Sequence, residues 1–208
     1  MNRELVKHPF YLIMHPYNGF WDLKYERSQK TNLIISFVIL FLMVITNVMQ
    51  REYSGFLVNF SNPQEMNSLL EVIYIMLPLV YWCVANWSLT TLMDGEGKFV
   101  EIFISTCFAL IPMVLINLPW VGLSNLIANQ ETVYYHFSGS IAILWSLYLL
   151  FVGNMTVHQY SPSKTIGTLI LSVVAMAFLA FLTLLFFSLI QQIISFISTI
   201  YQEIVLRS

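Results

Sequence analysis

Residues 32–49 read NLIISFVILFLMVITNVM, eighteen positions with no charged side chain. A spanning helix needs about 20 mostly apolar residues, because each adds about 1.5 Å against a hydrocarbon core of about 30 Å. This stretch is long enough for one crossing. Four more follow it: Leu69 to Thr91, Phe99 to Leu118, Phe137 to Val157, and Ile166 to Ile190. The predicted fold class is all-α, a polytopic membrane protein with a bundle of five transmembrane helices. The chain divides into an amphipathic, aromatic N-terminal segment (1–31), the transmembrane domain (32–190) and an amphipathic C-terminal segment (191–208).

Composition agrees with that reading. Of 208 residues, 58% are hydrophobic and only 10% charged, with a mean hydropathy of +0.73. A soluble domain carries roughly a quarter charged residues, and a surface without them exposes apolar patches that aggregate in water. The net charge of −2 offers no basic face for nucleic acid. Cys83 and Cys107 both lie inside apolar runs, so neither a disulfide framework nor a thiolate metal site is expected. No cleavable signal is expected either, because the first apolar run begins only near Leu33.

Basic residues set the predicted orientation. Arg3, Lys7, Lys24, Arg27 and Lys30 precede the first span, Lys98 lies between the second and third, and Lys164 between the fourth and fifth. With five spans these seven share one side, leaving Arg51 and Arg207 on the other. The N-terminus is therefore expected in the cytoplasm and the C-terminus outside. The segment from Pro119 to Tyr135, with no Lys or Arg, reads as an outer loop.

Candidate chemistry is sparse. The histidines, His8, His15, His136 and His158, form no HExxH pair and sit beside no cysteine at ligand spacing. No serine occupies a GxSxG elbow. The spans hold no acidic or basic residue near their middles, with Glu71 and Glu101 expected at helix ends among headgroups. Ion coupling normally needs such a group. Asn47, Asn86 and Asn117 are the strongest internal polar residues, and each could bond a neighbouring helix. No cofactor, metal or catalytic activity is expected.

The second inner turn, DGEGK, places Asp94, Gly95, Gly97 and Lys98 between two helices. Its glycines suit a sharp reversal with positive φ. Walker spacing is missing, so a turn rather than a phosphate loop is expected. About this turn, Pro78 and Pro112 fall at one depth, and so do Cys83 and Cys107. The prolines read either as paired kinks that open a cavity or as matched packing.

Both ends of the chain carry amphipathic elements. His15, Pro16, Gly19, Phe20 and Trp21 fall in a polar-aromatic segment that reads as an inner-leaflet surface element or a docking site for a partner. At the other end, Ile193, Ile197 and Tyr201 belong to an apolar face repeating at three- and four-residue steps. That helix is expected to lie at the outer interface, to fold back over the bundle, or to meet a partner.

Four features, HPYNGFWDLKYE (15–26), ANWSLTTLMDGEGKFVEIF (85–103), a third-span proline at Pro112, and HQYSPSKT (158–165), resemble the bacterial branch of the Ypt-interacting-protein (Yip) domain family. The resemblance implies a five-helix membrane scaffold without catalytic chemistry. Eukaryotic relatives are linked to small GTPases and vesicle traffic, and many Gram-positive ones to carbohydrate ABC importer gene clusters. A long cytoplasmic head like that of the eukaryotic members is not expected, which argues against direct GTPase recruitment. The expectation is an accessory or scaffold subunit in a bacterial cell membrane. Its partners would be lipids and other integral membrane proteins, ABC permease subunits among them. The alternatives are a small-solute transporter and a lipid-handling or membrane-shaping protein.

Overall fold

A computed structural model describes residues 2–59 and 67–207, with side chains described for 7–59 and 67–206. The side chains of Arg3 and Arg207, two of the nine basic residues behind the orientation argument, lie outside this set. Among the described residues five helical stretches are long and apolar enough to cross a membrane: Gln29–Tyr53, Ser68–Leu92, Phe99–Leu123, Asn129–His158 and Pro162–Leu206. The helices are α1 (Asn2–Met14), α2 (Pro16–Tyr25), α3 (Gln29–Tyr53), α4 (Ser68–Leu92), α5 (Phe99–Ala109), α6 (Ile111–Leu123), α7 (Thr132–His158) and α8 (Pro162–Arg207).

The third span is two helices because of Pro112. A proline has no N–H to return to the carbonyl four residues back, here that of Phe108. The chain ends α5 at Ala109, turns at Leu110 (φ −82°, ψ −6°), and restarts with Pro112 in the first turn of α6. The Leu110 N–H donates to the Cys107 carbonyl at 3.1 Å, covering an acceptor that the break would leave bare. Pro78 leaves α4 continuous and is exposed, whereas Pro112 is buried. The two prolines at matched depth therefore differ in effect: one breaks a helix inside the bundle, and the other faces outward. Cys83 and Cys107 are both buried in one apolar cluster with Leu40, Leu79, Ile102 and Val157.

The N-terminal segment does not lie along a surface. Helices α1 and α2 form an antiparallel hairpin with its tip at Met14–Pro16, and this hairpin is packed among the spans. Leu12 and Phe20 belong to the main core with Ile39, Phe108, Ile111, Leu149 and Val152. Gly153 of α7 makes the room, since a Cβ there would lie 3.0 Å from the Phe20 ring. The backbone stays paired across the tip, His15 N–H to Tyr11 O and Gly19 N–H to His15 O, both 2.8 Å. Lys24 meets the end of α7 at Val157, and from Lys24 to His15 the helix advances roughly 13 Å at 1.5 Å per residue. The tip thus reaches well into the height of the bundle. Aromatic and basic residues suggested an interface in the sequence; Leu12, Gly19, Phe20 and Leu23, all buried, form an inner face that draws the segment inward.

Helix α8 is a single unbroken helix of 46 residues, about 69 Å long. Its buried positions, Thr165, Thr168 and Ser172, continue into the half-buried Ala175, Leu179 and Thr183, a stripe of mostly small residues at helical spacing. Small side chains let helices approach closely within a bilayer, and this stripe faces α4. Beyond Thr183 almost every described residue is exposed. The last third of α8 continues the helix without a break and is not packed on the bundle.

Candidate functional site

The three sequence motifs quoted above meet at the end of the bundle that carries most of the basic residues. Helix α7 stops there because Gln159 takes the left-handed conformation (φ 56°), its N–H returning to the Met155 carbonyl. The following Tyr160 donates its hydroxyl to the carbonyls of Met93 (3.0 Å) and Thr90 (3.3 Å) at the end of α4, the latter also accepting the Met93 and Gly95 N–H groups. Lys164 donates to the same Met93 carbonyl at 2.7 Å and lies 4.3 Å over the Tyr160 ring. Burial and the carboxylate of Asp94 push the Tyr160 phenol above its ordinary range.

Behind this closure lies a buried polar row. His158 donates from Nε2 to Asn86 Oδ1 (3.1 Å), and the Asn86 amide donates to Ser172 Oγ (3.3 Å), which joins α7, α4 and α8. His158 Nδ1 has no hydrogen-bond partner among the described residues. The Thr90 hydroxyl bonds back to the Asn86 carbonyl at 2.7 Å. Asn86 is completely buried, so its polar atoms serve helix joining.

The DGEGK turn is seated on that corner. Here the structure corrects the expected role of its glycines: none has a positive φ, and the left-handed residue is Asp94 (φ 56°), a residue type that tolerates it. The glycines are needed for space. A Cβ on Gly95 would lie 2.6 Å from Tyr160 Oη and 2.7 Å from His158 Nδ1, and one on Gly97 2.6 Å from Val157 Cγ1. Lys98 caps α5, its backbone N–H donating to the Glu101 carboxylate at 3.0 Å.

The inserted hairpin reaches the same place. Lys24 Nζ donates to the Val157 carbonyl at 2.9 Å and lies 3.5 Å from Glu96, fixing α2 to the end of α7 and to the turn. A cation at a helix C-terminus is favoured by the exposed carbonyls and the dipole. Asn32, fully buried, donates to the Leu23 carbonyl (3.0 Å) and accepts from Arg27 Nε (3.3 Å), which holds Arg27 at the mouth. Between them Lys24, Arg27, Lys98 and Glu101 line a cavity of about 230 Å³.

The remaining candidates lie elsewhere. His15 and Pro16 form the hairpin tip, His15 exposed and stacked on Tyr11 at 4.9 Å. Trp21 is exposed and packs on Tyr25 at 4.5 Å, while Gly19 and Phe20 are buried. Ile193, Ile197 and Tyr201 project from the distal part of α8, each more than half exposed. At the opposite end of the bundle Glu71 stands in the first turn of α4, at a helix end as expected, and its side chain is buried within the chain. Arg51 (2.9 Å) and Asn47 (2.8 Å) hold it there. Sequence spacing missed this pair because Arg51 and Glu71 belong to different helices. It also missed Tyr160 and Lys164, whose signal was a polar-aromatic corner directly after an apolar span. Among the described residues no three of His, Cys, Asp or Glu gather at a metal-holding distance.

Searches of curated proteins and of solved structures each found no match. The family model of the Yip1 domain matches residues 10–185, from the inserted hairpin through the part of α8 that packs on α4. The chain belongs to the Yip1 domain family.

Proposed function

We propose that this protein is a non-catalytic scaffold, an accessory integral subunit that acts by binding other membrane proteins in a bacterial cell membrane. One observation carries the reading. The fifth span has the highest mean hydropathy of the five, 2.8, yet only 6% of its apolar window is buried within the chain. A helix of roughly 69 Å, apolar all round at first and along one face in its last third, exceeds the roughly 30 Å that lipid tails can cover. Its distal residues, Ile193, Ile197 and Tyr201 among them, match neither water nor the rest of this bundle. A second integral protein supplies the missing surface. Permease subunits of carbohydrate ABC importers are the partner class, following the likeness of the sequence motifs to the bacterial branch. The basic end, with the hairpin and the DGEGK turn, faces the cytoplasm by the distribution of Lys and Arg.

The test is purification from native expression levels in a mild neutral detergent, with mass spectrometry of what accompanies the protein. A transport complex is expected with the wild-type chain. It should be lost when Ile193→Asn, Ile197→Asn and Tyr201→Asn are combined, substitutions at exposed positions that leave the bundle folded. A lone protomer from cells holding intact transporters, or an unchanged complex with the triple variant, contradicts the proposal. Thiols placed near Gly95 and Asn125 test the orientation, since only the latter should label from outside intact cells.

A further inference from the structure

The basic cavity at the hairpin has a shape and charge that the scaffold reading does not use. Lys24, Arg27 and Lys98 border it from three separate elements, with Glu101 the only acid in its lining. Glu101 is already engaged, since its carboxylate accepts the Lys98 backbone N–H. Arg27 is bonded only through Nε, to Asn32, which leaves its two terminal nitrogens without a partner among the described residues. Lys98 Nζ is likewise unpaired there. Ser105 of α5 lines the same space and adds a hydroxyl to it. About 230 Å³ is several times the ~30 Å³ share of one water molecule, room for a phosphate and its ester substituents.

The cavity also borders apolar surface. Gln29 and Lys98 line it, while Leu33, one turn beyond Gln29, and Phe99, next to Lys98, line an apolar groove of about 800 Å³ between α3, α4 and α5. A charged mouth at the membrane boundary beside an intramembrane groove is the profile of an anionic headgroup site.

We propose that this cavity binds a phosphate group through Arg27 and Lys98, with Lys24 behind them and Asn32 positioning Arg27. The phosphate is that of a lipid headgroup or of a free phosphate compound. The full chain is reconstituted in nanodiscs of phosphatidylcholine with phosphatidylglycerol and then exchanged into neutral detergent. Retained lipid is counted by mass spectrometry, and inorganic phosphate binding is followed separately by calorimetry.

The wild-type chain is expected to retain phosphatidylglycerol over phosphatidylcholine, or to bind inorganic phosphate. Arg27→Gln with Lys98→Gln should weaken that binding about tenfold or more, as loss of charge-assisted bonds implies. Lys7→Gln with Lys30→Gln removes two exposed charges outside the lining and should change it less than about twofold by the same measure. Lys98→Gln alone serves if the first pair proves unstable, because Lys98 caps α5 through its backbone. Retained lipid that phosphate does not displace identifies a headgroup site, and displacement or binding of phosphate alone identifies a soluble source. Equal losses with both pairs, meaning diffuse surface charge, overturn the proposal. So does the absence of both retention and phosphate binding in the wild-type chain.

Discussion

The third and fifth spans are both strongly apolar, with mean hydropathies of 2.3 and 2.8, but 56% of one window is buried within the chain against 6% of the other. Hydropathy therefore does not tell a bundle interior from a lipid- or partner-facing helix. Side-chain size and interhelical bonds do. Around Leu110 the third span offers Ser105, Thr106, Cys107 and Ala109, all buried, and Phe108 fills the space beside the hairpin. Helix α8 packs its small residues against the bundle only as far as Thr183, whereas Ser188, Ser195, Ser198 and Thr199 beyond it are exposed. In lipid, tails are as apolar as leucine, so close approach and bonding decide which helices associate.

Matched substitutions in the buried bundle and in α8 test that contrast, beginning with the largest effect. Phe108→Ala removes a fully buried ring and should cost about 3–5 kcal/mol of stability, read as a lowered melting temperature in neutral detergent. Phe187→Ala, at a position 57% exposed, should cost less than about 0.5 kcal/mol in the isolated protein. Equal losses would break the distinction between the two spans.

Gly95→Val should cost about 1–3 kcal/mol as an overpacking change, because its Cβ would meet Tyr160 and His158. Nothing lies within 4 Å of a Cβ at Gly167 of α8, so Gly167→Ala should be neutral or slightly stabilising by helix propensity. Asn86→Leu strands His158 Nε2 and should cost about 0.6 kcal/mol, the average for interhelical bonds in membranes, and no more than about 1.7 kcal/mol, their maximum. Ser198→Leu on distal α8 should leave the isolated protein unchanged, and the same denaturation series would show it.

Much of the fold was legible in the sequence. Five apolar runs gave five crossings, since length and hydropathy are what a bilayer demands. The motifs around DGEGK and HQYSPSKT pointed at one end of the bundle, where the structure joins them. The inserted hairpin was harder to read. Its Phe10, Tyr11, Trp21 and Lys24 carry the composition of an interface helix, and only packing against Gly153 shows which face turns inward. The roles of Gly95 and Gly97 were misread for a related reason. Sequence shows that a glycine is present, but not whether the backbone or the neighbours require it. The clamp of Arg51, Asn47 and Glu71 depends on contacts between helices that no local spacing encodes. The cavity lined by Lys24, Arg27 and Lys98 brings together residues from three segments, so no single motif announces it.

Site-specific photo-cross-linking along α8 in intact membranes is the most direct measurement of the scaffold account. A photoreactive residue at Ile193, Ile197 or Tyr201 is expected to form adducts with another integral membrane protein, and one at Thr168 to capture α4 of the same chain. If the three distal positions give only lipid adducts while the transporter complexes of the cell remain intact, the unburied third of α8 is not a protein-binding surface and the account fails.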